Sequence, residues 1–269
     1  ANGGSTTAGG GSPALYDGER YYSRLADHLN HILSSNRTGV PHQPIESIGQ
    51  GHGTRNSLHT AVYFDNFIPA DTDLLLWEFS INDAADPELR NHEIVQKTSK
   101  QSFVAWLHEV NAMENPPMVM LIYYWNSPYS RNRTTHEIVC DSFASHGDVA
   151  RQFDFVVGHV NMAKYVDKEL RIPLCGNYRH CPILSKNDKH HASKVGHVAT
   201  AFLLLNLLNP RLAPLSAPAS APASHRTFLD DASHVWTCGV ETEAKRVLKS
   251  VIANSSTGWK SPIGSWTLE

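Results

Sequence analysis

The sequence predicts an α/β protein, a three-layer αβα sandwich with a central parallel sheet, followed by a short β-rich C-terminal appendage. Two apolar runs, Leu74 to Ile81 and Met118 to Trp125, suit strands covered on both faces. Between and around them lie stretches with helical periodicity, and strands alternating with helices of ten or more residues imply βαβ units and a parallel sheet. With 269 residues, 41% of them apolar and 18% charged, the chain has enough apolar material to bury a sizeable core.

Taken in order, the first 14 residues are nearly all Gly, Ser, Thr and Ala and read as a loop. Tyr22, Leu25, Leu29 and Ile32 recur at spacings of three and four, an amphipathic helix. Ile45 to Ile48 runs into Gly49, Gly51 and Gly53 and predicts a buried strand entering a tight turn. Leu74 to Ile81 follows Asp71 and Asp73, and Met118 to Trp125 follows Pro116 and Pro117, so turn residues bound both strands. Phe155 to Val157 is a shorter strand candidate. Helices are expected near Ile94 to Val110, Thr135 to Gln152 and Ser193 to Leu208.

Beyond residue 208 the composition shifts to Pro, Ala and Ser, which divides the chain into a main domain, 1–208, a semi-rigid linker, 209–226, and a small segment, 227–269. That last segment carries Trp236, Trp259 and Trp266 and a turn at Pro262 to Gly264. It is too short for a secure core of its own. A net charge of -3 sets up no single-sign field toward phosphate backbones, so nucleic acid is not an expected partner. The apolar runs fall far short of the roughly 18 residues that signal a membrane span. Four cysteines permit two disulfides, and Cys175 and Cys181, bracketing a short loop, are the candidate pair. Asn36, Asn132 and Asn254 each open an N-glycosylation sequon. The cysteines lean the reading toward a secreted protein or one of the secretory-pathway lumen.

Several residues could carry chemistry. Ser5 lies in Gly3-Gly4-Ser5-Thr6-Thr7-Ala8-Gly9, where small neighbours would let the backbone bend sharply and a substrate come close; a flexible Gly-rich tail is the bland alternative. A serine needs a base and an orienting carboxylate. Two Asp-x-x-His pairs occur, Asp188/His191 and Asp231/His234. Only the first is followed by a helix N-cap, Ser193, and then by Val195, Val198, Phe202 and Leu205 at helical spacing. Asn82, after the strand Leu74 to Ile81, and Gly53, in a Gly-rich turn, are candidate donors to an oxyanion; turn geometry explains either equally well. His28 and His31 lie one helical turn apart, and His190, His191 and His197 are close in sequence. No Cys or carboxylate stands at ligand spacing, so neither metal nor cofactor is expected.

The order of these blocks resembles the SGNH (GDSL-type) hydrolases. Gly3-Gly4-Ser5-Thr6-Thr7-Ala8-Gly9 is similar to their Gly-Asp-Ser-Leu-Thr-x-Gly block, with glycine for aspartate. Phe79-Ser80-Ile81-Asn82-Asp83 is similar to Gly-x-Asn-Asp, and Asp188-Lys-His-His191-Ala-Ser193 to Asp-x-x-His-Pro-Ser. A Gly-Gly-Ser subgroup with Glu-Phe-x-x-Asn-Asp is the nearer comparison. The resemblance covers about residues 1–208 and implies a flavodoxin-like sheet and a serine ester hydrolase acting on a carbohydrate or other small ester. Ser5 would be its nucleophile, His191 the base and Asp188 the orienting acid. The oxyanion hole would include Asn82 and Gly53, with Gly51 an alternative to Gly53. A glycan O-acetyltransferase using the same residues, or a non-catalytic glycoprotein assembling with other extracellular proteins, is the alternative. In this family the nucleophile follows the central strand, yet only Ala1 to Gly4 precede Ser5, so an apolar segment upstream, or another part of the chain, is expected to supply that strand.

Overall fold

The computed structural model describes residues 1–4, 6–10, 17–35, 43–53, 55–84, 92–124, 146–162, 183–185, 191–212, 259–261 and 264–266. Five strands, β1 (Asn2–Gly3), β2 (Gln50–Gly51), β3 (Leu74–Glu78), β4 (Met118–Tyr123) and β5 (Val156–Asn161), form one sheet in the order β2-β1-β3-β4-β5, and every neighbouring pair is parallel. The helices are α1 (Tyr21–Ser35), α2 (Ser57–Val62), α3 (Ser80–Ala84), α4 (His92–Ala112) and α5 (Lys194–Leu212), with a helical turn at 146–150. The order reverses between β1 and β3, the place where open α/β sheets form a crevice beyond the carboxyl ends of their strands.

Side chains alternate from one face of the sheet to the other, as the two-residue period of a strand requires. Leu76, Met120 and Ile122 enter a core shared with Tyr22, Leu25 and Leu29 of α1 and with Val198, Leu204 and Leu208 of α5. Leu75, Trp77, Val119, Leu121 and Tyr123 enter a second core with Phe103, Trp106 and Val110 of α4. Two cores on opposite faces of one parallel sheet are the three layers expected, and they explain why β3 and β4 are apolar almost throughout.

The structure corrects several boundaries. Ile45 to Ile48 is neither a strand nor buried: Ile48 is 49% exposed, and only Gln50–Gly51 joins the sheet. Ahead of Gln50 the chain is held from α1. Asn30 of α1 donates from Nδ2 to the Ile45 carbonyl at 2.9 Å and accepts from the Ile45 N–H at 2.7 Å. Asn2 and Gly3 themselves form the strand ahead of the Gly-rich loop, second in the sheet between β2 and the central β3. The strand at Leu74 ends at Glu78, because the chain turns into α3, whose Asp83 N–H donates to the Phe79 carbonyl at 2.8 Å. β5 is longer than Phe155 to Val157; Gly158, His159 and Asn161 disguise it in sequence although all six of its residues are buried.

The final helix runs to Leu212, four residues past the expected end of the main domain. Trp259–Ser261 and Gly264–Trp266 pair antiparallel, while residues 262 and 263 of the predicted Gly/Pro turn lie outside the described residues. Cys175 and Cys181, Asn36, Asn132 and Asn254, and residues 213–226 of the linker lie outside the described residues. Among the described residues no helix is long and apolar enough to cross a membrane.

Candidate active site

The carboxyl ends of β1 and β3 meet at the reversal of strand order. Gly4, directly after β1, donates its N–H to the Glu78 carbonyl at 2.9 Å, and its own carbonyl accepts from Ala8 N–H at 3.1 Å, so the chain curls back at once. A Cβ on Gly4 would lie 2.5 Å from Asn82 Nδ2. The carboxamide of Asn82, on the first turn of α3, thus fills the space that a side chain at position 4 would need. Glycine where the resembling family carries aspartate follows from that contact. Asn82 Nδ2 also donates to the Arg55 carbonyl, which ties the Gly-rich turn after β2 to α3.

The two candidate glycines of that loop differ. Gly51 is pinned, since a Cβ there would come within 2.3 Å of Ala8 N and 2.6 Å of Thr7 C. Gly53 is exposed, with open space where a Cβ would be. His52 N–H donates to the Gly3 carbonyl at 3.0 Å and so fastens this loop to the end of β1.

Beneath the Gly-rich loop lies a carboxyl that is 1% exposed. Glu78 Oε2 accepts from Thr7 N–H at 3.1 Å and from Thr7 Oγ1 at 2.9 Å, and the Tyr21 hydroxyl is 2.8 Å from Thr7 Oγ1. Burial pushes the Glu78 carboxyl up to about 8, against the hydrogen bonds from Thr7 and Gly4 that pull it down. Asp83, also buried, accepts from Ser57 N–H at 2.8 Å and from Ser57 Oγ at 2.7 Å, while Trp77 Nε1 donates to that same Ser57 Oγ at 2.8 Å. Burial raises Asp83 to about 7 despite those bonds.

His191 is half-buried just ahead of α5. Its carbonyl accepts from Ser185 N–H at 2.8 Å, Ser193 N–H donates to the Ile183 carbonyl at 2.9 Å, and Leu184 and Ala192 form an antiparallel bridge. Ser193 caps the helix as expected, its Oγ accepting from Gly196 N–H at 3.1 Å. One turn in, His197 is buried, accepts from Tyr21 N–H at 3.3 Å on Nδ1, and stacks on the Tyr21 ring at 5.8 Å. The start of α5 is therefore linked through Tyr21 to Thr7, two residues after Ser5. Lys194 reinforces that end of the helix with a 2.6 Å ion pair to Glu19.

Of the residues singled out in sequence, Asn82 packs directly against Gly4, Gly53 lies on the loop tied to Gly3, and His191 stands at the start of α5. Ser5 and Asp188 lie outside the described residues. Asp231 and His234, the competing pair, lie outside them too. Sequence reasoning gave no role to Glu78, Thr7, Tyr21 or Ser57, although Thr7 lies in the Gly-rich block and Glu78 matches the first residue of Glu-Phe-x-x-Asn-Asp. The available signal was Glu78 itself, an acid in the middle of the run Leu-Leu-Leu-Trp-Glu-Phe, where a doubly covered strand has no place for a solvated charge.

No known family profile matches the chain, and no curated protein matches it in sequence. Among solved structures the chain is similar to a two-domain esterase active on acetylated mannans and co-crystallised with mannopentaose. The two are 18% identical with a TM-score of 0.54, over 82% of this chain and 51% of the esterase. The likeness is one of fold, and the chain spans about half the length of that esterase. It agrees with the parallel five-stranded sheet and its covering helices as a three-layer α/β scaffold.

Proposed function

We propose that the protein is a serine ester hydrolase whose substrate is an O-acylated, in particular O-acetylated, carbohydrate. The observation that carries this reading is the apposition of Gly4 and Asn82 at the reversal of strand order, beside a glycine-rich loop. A candidate nucleophile adjoins Gly4 in sequence, a carboxamide donor touches that same glycine, and His191 precedes a helix linked through Tyr21 to the loop. The carbohydrate part of the proposal leans on the mannan-active esterase of similar fold.

In this mechanism Ser5 Oγ attacks the ester carbonyl, His191 takes its proton and returns it to the departing sugar hydroxyl, and Asp188 orients the imidazole. Water, activated by the same histidine, then releases the acid. The negative charge on the carbonyl oxygen would be met by backbone N–H groups of Ser5 and Gly53 and by the Asn82 carboxamide. Gly53 suits this better than Gly51, since open space faces it while Gly51 is packed against Ala8.

The test is acetate release from an acetylated mannan. Ser5→Ala and His191→Ala are each expected to lower turnover by about 10³-fold or more, with His234→Ala near wild type. A Ser5→Ala protein that turns over like wild type sinks the reading. With unacetylated mannan supplied as an acceptor, mass spectrometry is expected to find free acetate; acetyl groups moved to the acceptor would make the protein a transferase instead.

A further inference from the structure

We propose that Glu78 is a positioning residue of this site, holding the residues on both sides of Ser5 through two separate attachments, its main-chain carbonyl on Gly4 and its carboxyl on Thr7. The proposal rests on the hydrolase reading above.

The main-chain attachment alone would need no particular side chain at position 78, since any residue there presents a carbonyl to Gly4 N–H. The side chain is therefore what needs explaining. A carboxyl that is 1% exposed is costly unless hydrogen-bonded, and Thr7 supplies two donors, its N–H and its hydroxyl. The loop is shaped around this contact. A Cβ on Gly3 would lie 2.1 Å from Thr7 Oγ1 and 2.9 Å from Glu78 Cβ, so only glycine lets Thr7 reach down to the carboxyl. Among the described residues the titratable groups facing Glu78 are Tyr21 from α1, Asp83 from α3 and Tyr124 beyond the end of β4, and none of these is a cation. The carboxyl is thus not the acid half of an ion pair with any of them. Its partners are the donors of the loop that carries the nucleophile.

A group that holds a nucleophile in line acts on turnover more than on substrate binding, and small misplacements are costly. The experiment compares Glu78→Leu, Glu78→Gln and Thr7→Val on acetylated substrate. Rates are normalised to sites titrated with a fluorophosphonate probe, so that loss of folded protein does not count as loss of catalysis. Glu78→Leu and Thr7→Val are expected to lower kcat per titrated site by about 10-fold to 10²-fold with KM changed less than about threefold. Glu78→Gln, whose amide oxygen can still accept from Thr7, is expected to recover most of that loss. Wild-type kcat per titrated site in Thr7→Val overturns the proposal even if Glu78→Leu does not fold, as does a Glu78→Gln protein no better than Glu78→Leu. Failure of the hydrolase reading is seen separately, as wild-type protein that the probe does not label or as full activity in Ser5→Ala.

Discussion

At the scale of single residues, this site is organised by glycines whose missing side chains are the space other groups occupy. Gly3 leaves room for Thr7, Gly4 for Asn82 and Gly51 for the backbone at Ala8. The three are not equally replaceable. At Gly51 the obstacle is main chain, which cannot swing aside, so Gly51→Ala is expected to destabilise the fold by about 1–3 kcal/mol or more, as overpacking does. Gly53→Ala, facing open space without a positive φ, is expected to change stability by less than about 0.5 kcal/mol. Urea unfolding of the two variants checks the contrast; equal losses would refute it. Sequence identified the glycines as a group but could not rank them. Ranking depends on which distant atom approaches each, and Ala8 meets Gly51 only because β1 and β2 pair.

Among the elements, α5 matters most to the site because it carries His191 at its start and fastens to the sheet beside β4. Tyr124, just past β4, has its hydroxyl 2.5 Å from Thr200 Oγ1, and Thr200 Oγ1 donates to the Gly196 carbonyl at 2.9 Å. Thr200→Val keeps the shape but removes the oxygen, leaving a buried phenol without this partner at a cost of about 1–3 kcal/mol. Thermal unfolding should show that loss, and an unchanged midpoint would mean the phenol finds another partner. This helix was legible before the fold was known because its cap, Ser193, and its apolar spacing are local signals. β1 and β2 were not legible. Two-residue strands have no period to read, and they exist because each is pinned by its neighbour. β5 was under-read for a related reason: burial on both faces removes the alternation that marks a half-exposed strand, and Gly158 and His159 interrupt its apolar run.

For the molecule as a whole, buried titratable groups set the pH range in which it is most stable. Burial lowers His28 to about 4 and His146 and His197 to about 3, from 6.5 when unfolded. Folding is favoured by their neutral forms, so that contribution is present above pH 6.5 and lost as pH falls toward 3. Glu78 and Asp83 act oppositely. Their folded values, about 8 and about 7, lie above the unfolded 4.5 and 3.8, so their contribution is present at low pH and lost as pH rises toward 8. Of these five groups the three bases outweigh the two acids below 6.5 and only the acids titrate above it, so their combined contribution is expected to make the melting temperature peak near pH 6.5. A midpoint still climbing from pH 6.5 to 8 would contradict this. The layered architecture itself was readable from two apolar strands and three periodic helices. The polar framework under the glycine-rich loop was not, because Thr7, Tyr21 and Glu78 lie far apart in the chain and meet only in the fold.

The clasp that Asn30 closes on Ile45 also bears on how copies of the protein behave toward one another. It occupies both main-chain groups of Ile45 in a solvent-facing segment with exposed Ile45 and Ile48 that would otherwise lengthen the border of the sheet at β2 and present a template for another chain. Asn30→Ala is therefore expected to leave the folded chain nearly intact yet raise light scattering in concentrated samples on storage, as neighbouring molecules begin to zip together along that border.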